Sequence, residues 1–236
     1  MPLTISRTRV STAAVTHSVS ERFSNSGPEF VEIGAPGCKV PIISYESETG
    51  AWVAGSLTGT SMAAPLVSFA AALALSERVD AGWTPSDVKR RLLVSADLRS
   101  ELLPHIADGR VLNIIKAVSV YDDVLELKGG GFRFGRLRLL KGGREELREE
   151  DELRLTCSGE LRRVRVREVF KIVPRFRNIR GDLVTKIYYR SPGAALFANE
   201  ECDRLTDLTL AIQNPEGGED AYTPDEVEDV VRREAS

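Results

Sequence analysis

"TGTSMAAPLVSFAAAL", residues 58–73, decides how the rest of the chain is read. Ser61 stands between small turn-forming residues and an alanine-rich run that predicts a buried helix from about Ser61 onward. Pro65 fits the first turn of such a helix, because the first amides have no intrahelical partner in any case. On spacing alone two readings stand. Ser61 caps the helix, a role serine commonly fills, or it is a nucleophile whose backbone amide lies at the positive helix end. Gly59 suits the second reading, since it allows a tight turn and close approach of a substrate. A nucleophilic hydroxyl also needs a base to take its proton and a carboxylate to orient that base.

The chain has 236 residues, enough for one large domain or two small ones with an apolar core. Lys and Arg number 32 against 35 Asp and Glu, a net charge of −3. That balance makes no case for nucleic acid or an anionic membrane as a partner. No metal-ligand spacing is visible, and no cofactor motif. Cys38, Cys157 and Cys202 form no CxxC pattern, so the expectation is buried thiols in a reducing compartment. The opening MPLTISRTRV lacks the apolar segment of a signal peptide. The apolar run from Met62 to Leu75 is too short to span a bilayer. A cytoplasmic chain is expected unless its natural start lies upstream.

Charge density divides the sequence. Residues 1–124 carry 11 Lys+Arg and 13 Asp+Glu, whereas the remainder carries 21 and 22. The change falls at Lys128-Gly129-Gly130-Gly131, a turn or short linker, which sets domains at 1–127 and 128–212 and an acidic tail at 213–236. In the first part, 12–16, 30–33 and 40–44 read as strands. Thr84-Pro85-Ser86-Asp87 reads as a helix start with Thr84 as N-cap, and 113–120 as a further helix. The second part alternates instead. Phe132/Phe134, Leu137/Leu139, Leu153/Leu155, Val164/Val166 and Leu208/Leu210 mark half-buried strands, with a slip at Gly135. Residues 144–152 read as a solvated loop or short helix. Arg163, Arg165 and Arg167 read as a solvated strand face. The tail is expected to be flexible, or one turn of helix through Val227, Val230 and Val231.

The residues around Ser61 settle its reading. Gly59-Thr60-Ser61-Met62-Ala63-Ala64-Pro65 closely resembles the nucleophile motif of the subtilisin-like serine peptidases. Phe23-Ser24-Asn25-Ser26-Gly27, Ile33-Gly34-Ala35-Pro36-Gly37, Trp83 to Val88 and Gly109 to Asn113 resemble further segments of that family, in the same order. The similarity covers roughly residues 10–120. It departs at Leu66 and Phe69, where the family usually has His and Gly.

The resemblance implies an α/β fold, the carboxy-terminal half of a subtilisin-like parallel-sheet domain, followed by a β-rich accessory domain. It implies Ser61 as nucleophile with its amide as oxyanion donor, Thr60 as support for that region, and Gly59, Met62 and Pro65 as motif residues. The family's triad runs Asp, His, Ser, but no aspartate precedes Ser61. His17 and His105 both lack the family's His-Gly-Thr-His setting, and the upstream carboxylates Glu21, Glu29, Glu32, Glu46 and Glu48 lack its Asp-Ser/Thr-Gly setting. Asn25 sits in the wrong element to donate to an oxyanion. The expectation is therefore a serine endopeptidase acting on peptide or protein substrates, truncated and inactive alone, with Asp and His supplied by upstream sequence or a partner chain. The alternative is a non-catalytic remnant that binds peptides or proteins.

Overall fold

The computed structural model describes residues 12–16, 19–20, 24–79, 82–190, 197–214 and 216–233. The first part is built on strands β1 (Thr12–Thr16), β2 (Val19–Ser20), β3 (Ile33–Pro36), β4 (Val40–Glu46) and β5 (Ala51–Leu57). Helices α1 (Thr60–Ser76) and α2 (Pro85–Ser95) follow, then β6 (Asp97–Leu98), β7 (Arg110–Val111) and α3 (Ile114–Val118). Five strands form one sheet in the order β2-β1-β3-β7-β6. The inner pairs β1/β3 and β3/β7 are parallel, and antiparallel strands close both edges. A strand expected over 30–33 instead runs Ile33–Pro36, because Phe30 and Val31 turn back to hydrogen-bond Gly27 O. The helix expected over 113–120 is shorter than the spacing suggested.

Each helix is placed by its apolar side. On α1, Ala63, Val67, Ala70 and Ala74 are buried; with Ile33, Ala35, Leu92, Leu93 and Ala117 most of them form one core. Small side chains let α1 approach the sheet closely. Helix α2 starts as the sequence predicts. Thr84 Oγ1 accepts from Asp87 N–H, and Asp87 Oδ2 accepts from Thr84 N–H at 2.8 Å, a complete capping box.

The second part is a sheet of eleven strands. These are β8 (Asp123–Leu127), β9 (Phe132–Lys141), β10 (Glu145–Leu147), β11 (Glu152–Cys157), β12 (Glu160–Arg165), β13 (Val169–Arg177), β14 (Leu183–Arg190), β15 (Phe197–Cys202), β16 (Leu208–Gln213), β17 (Glu219–Tyr222) and β18 (Val227–Val231). They run in the order β12-β11-β15-β14-β13-β18-β8-β9-β16-β17, with β10 beside β9. Across the described residues most elements are thus strands, and the α/β description fits only the first part. The alternation slips at Gly135 because the end of its neighbour β16 lies close against it: a Cβ at that residue would stand 2.0 Å from Gln213 O.

Three expectations need correction. The sheet begins at Asp123, before residue 127, and Lys128–Gly131 is the hairpin turn joining β8 to β9, with Leu127 N–H donating to Gly131 O. Over its described residues the tail is neither unstructured nor helical: β17 and β18 are strands, and β18 pairs with both β13 and β8. Val227, Val230 and Val231 share a spacing that suits one helical turn, but a register shift between Val227 and Asp229 lets a strand bury all three. Residues 144–152 are almost all exposed, as expected of a solvated segment, with the short strand β10 among turns.

The third correction concerns cysteine. Cys157 and Cys202 face each other on β11 and β15 and form a disulfide; Cys38 is free. They are the sole register pair joining those strands, so the bond staples the β11–β12 hairpin to the sheet. Reduction, or the double change Cys157→Ala and Cys202→Ala, is expected to lower stability by about 2–4 kcal/mol. Urea unfolding of oxidised and reduced protein checks this, with Cys38→Ala as the control that leaves it unchanged.

Candidate active site and the charged junction

Ser61 lies in the first turn of α1 and is exposed. Two of the sequence motifs meet beneath it. Gly59 N–H donates to Gly37 O at 2.8 Å, and Lys39 N–H to Thr58 Oγ1 at 2.8 Å. The Ala35-Pro36-Gly37 turn therefore fixes where α1 begins, although the β4–β5 hairpin separates the two segments in sequence. The amides of Thr60 and Ser61, at the helix start, have no intrahelical acceptor and carry the positive end of the helix dipole. Gly59 forms no side-chain cap, and a Cβ there would stand 3.2 Å from Ser61 Oγ. Glycine thus keeps the space beside the Ser61 hydroxyl clear. Thr60 and Met62 are half-buried, Pro65 is exposed, and Phe69 turns its ring outward at 55 % exposure.

No base reaches Ser61 among the described residues. His105 Nδ1 is 2.8 Å from Ser26 Oγ, and His105 O accepts from Gly27 N–H, so this histidine belongs to the 24–27 loop. His17 and Glu21 lie outside the described residues. Glu32 pairs with Lys89 at 2.7 Å, Glu46 accepts from Thr49, and Glu29 and Glu48 are exposed. Asn25 is exposed in its loop. Ser61 hence stands exposed at the start of α1 without a base or an orienting carboxylate in reach among the described residues.

Comparison with known proteins follows the same division. A model of the subtilase family matches residues 3–121, half of the sequence. The chain belongs to the subtilase family. It is 37 % identical over 98 residues to the subtilase cytotoxin A-subunit of Escherichia coli, covering 42 % of this chain and 26 % of that protein. Among solved structures, the subtilase cytotoxin assembly matches at 31 % identity with a TM-score of 0.39, over 47 % of this chain and 35 % of the other. The patellamide maturation protease PatA matches at 32 % with a TM-score of 0.38, over 52 % and 44 %. The chain spans about a quarter of the length of the curated relative.

A second cluster lies where the subtilase part meets the large sheet. Lys116 Nζ stands 2.8 Å from Asp97, 2.5 Å from Glu126 and 2.7 Å from Asp229. Lys171 Nζ is 2.7 Å from the same Asp229 oxygen and donates to Ala96 O at 2.5 Å. One oxygen from each of Asp97, Glu126 and Asp229 lies within 4.8 Å of the others, a spacing that would suit a metal ion. The Lys116 ammonium already stands among all three, so the cluster is an internal ion network. Nearby, the fully buried Arg91 donates from Nε to Ala117 O, from Nη2 to Lys116 O and Ser119 O, and from Nη1 to Arg232 O. The apolar spacing of α2 marked Val88, Leu92 and Leu93 as inward but gave no sign that Lys89 and Arg91 are buried too.

Burial pulls the Asp97 carboxyl upward, yet the Lys116 charge, its hydrogen bond, Asn113 and the more distant Lys171 outweigh it and hold the pKa below its ordinary value. Burial lowers the Lys116 pKa, and Asp229, Asp97 and Glu126 more than restore it, so it is raised. The fully buried Lys171 remains lowered, chiefly by desolvation. For a carboxylate whose folded pKa is depressed, the stabilisation is complete above its unfolded value, about 4, and is lost as pH falls through the folded value. Melting temperature is expected to drop below about pH 4, and Asp97→Asn should flatten that drop while lowering stability at pH 7. Asp229→Ala, which leaves two buried ammonium groups without their shared partner, should cost about 3–5 kcal/mol at neutral pH.

Proposed function

We propose that this chain carries the nucleophile of a subtilisin-like serine endopeptidase. The observation that supports this most is the exposed Ser61 at the amino end of α1, beside a glycine that keeps its hydroxyl unobstructed. In the complete enzyme Ser61 Oγ attacks the scissile carbonyl of a peptide or protein substrate. The Ser61 amide donates to the resulting oxyanion, with Thr60 supporting that region. A histidine and an aspartate from outside the described residues take up the hydroxyl proton and orient the base.

One surface favours a place for the completing segment. Between α1 and α2 runs an apolar groove of about 540 Å³, lined among others by Ala64, Val67, Ala71, Leu75, Trp83 and Leu92. This apolar lining suits apolar cover. The matched region is a quarter of the curated relative, which favours a further peptidase segment as that cover. The β-rich part then acts as an accessory domain. The buried disulfide favours an oxidising compartment over a reducing one.

The second reading, a non-catalytic subtilase remnant that binds peptides or proteins, draws on the lack of a base at Ser61 among the described residues. Fluorophosphonate labelling separates the two. Without histidine and aspartate the rate should fall on the order of 10⁴–10⁶-fold, so the isolated chain labels hardly at all. Expressed with a segment that supplies both residues, it should label rapidly, and Ser61→Ala should abolish the signal. Absence of Ser61-dependent labelling in that complex rules out the peptidase reading and favours the binding module.

A further inference from the structure

At the opposite end of α1 from Ser61, the subtilase part and the large sheet enclose a cleft of about 800 Å³. Fifteen helical residues, 62–76, separate Ser61 from Arg78, about 22 Å along the axis. Arg78 and Tyr121 reach the cleft from the first part; Arg167, Arg190, Arg232 and Arg233 reach it from the second. Against five guanidinium groups stand two lining carboxylates, Glu149 and Glu168. The local excess is positive in a chain whose net charge is −3.

Three of these arginines have internal work. Arg78 donates to Val120 O and lies 4.6 Å from the Tyr121 ring centre. Arg232 donates to Val166 O and pairs with Glu149 at 2.9 Å, and Arg167 pairs with Glu150 at 2.7 Å. Arg190 and Arg233 differ. Both are exposed, and neither guanidinium has a carboxylate within 4.0 Å among the described residues. The Arg190 guanidinium sits 5.5 Å from the centre of the buried Phe170 ring, a contact that holds its planar fork in place without using its hydrogen bonds. Arg232 Nε, a further donor of this lining, is buried and lacks an acceptor among the described residues.

We infer that this cleft binds an acidic peptide segment, with Arg190 and Arg233 as the residues that recognise its carboxylates. Guanidinium groups match carboxylates in paired hydrogen bonds, and the Arg190 fork, already held against Phe170, loses little freedom on binding. The volume far exceeds a single oxyanion, and the floor of Val169 and Phe170 offers apolar contact to side chains between the carboxylates. The inference is independent of Ser61 reactivity.

Fluorescence anisotropy of the full chain carrying Ser61→Ala, with a labelled Glu-Glu-Phe-Glu-Glu-Leu-Glu-Glu peptide, tests it. Binding should be saturable and should weaken with added salt. The double change Arg190→Gln and Arg233→Gln should weaken it about tenfold or more. Arg163→Gln with Arg165→Gln, which removes equal charge from the exposed β12 strand, should leave it unchanged. Both double variants should melt at the parent temperature, since all four side chains are exposed. No saturable binding, or equal loss in the two double variants, overturns the proposal. Saturable binding of inorganic phosphate in place of the peptide overturns the peptide as occupant.

Discussion

The Lys116 ammonium, held among Asp97, Glu126 and Asp229, is the contact on which the arrangement of this molecule depends. Its ligands come from three separate stretches: β6 of the subtilase part, β8 at the start of the large sheet, and β18 near the end of the chain. Burying such charges is favourable only when each finds partners, and removing any one leaves the others stranded in a medium of low polarity. Lys171 adds a second ammonium on Asp229 and a hydrogen bond to Ala96 O just past α2. Arg91 joins the same junction from α2, tying the carboxyl end of α3 to Arg232. The subtilase part is thus anchored to the β-rich part through polar contacts of fixed geometry, which a purely apolar interface would not specify.

That anchoring has a consequence for the serine. Helix α1 is held by the core around Ile33, Leu92 and Ala117, and its amino end is set by Gly59 against Gly37. The groove toward α2 opens at the edge of this core, where Val67 and Leu92 belong to both. One molecule therefore presents the exposed Ser61 at one end of a helix and an arginine-lined cleft at the other, with the polar junction joining the parts that form the cleft's two walls.

Much of the first part was legible in the sequence. The capping box at Thr84, the strand at 12–16, the hairpin start at Val40 and the helix beginning at Thr60 all rest on local rules: side chains that satisfy backbone groups within a few residues, and apolar spacing that matches a helix or strand. The alternation of Leu153 and Leu155 likewise predicted an inward face, and Cys157 continues that alternation. Its partnership with Cys202 was not legible, because it depends on β15 lying beside β11, a pairing made 45 residues away. The same limit hid the fate of the tail, where a spacing shared by helix and bulged strand is resolved only by neighbours on both sides.

The sequence by itself determined the local pattern: the Gly-Thr-Ser-Met-Ala-Ala-Pro segment, the small residues that let α1 pack closely, and membership of the subtilase family. Only the tertiary structure decided which charges are buried and with whom. Charged residues are spread along the whole second part, and nothing in their order distinguishes Lys171 or Asp229, fully or almost fully buried, from Arg190 or Arg233, exposed beside a cleft. The physical reason is that burial and ion pairing are set by elements far apart in the chain, whereas capping, turning and amphipathic spacing are set by neighbours.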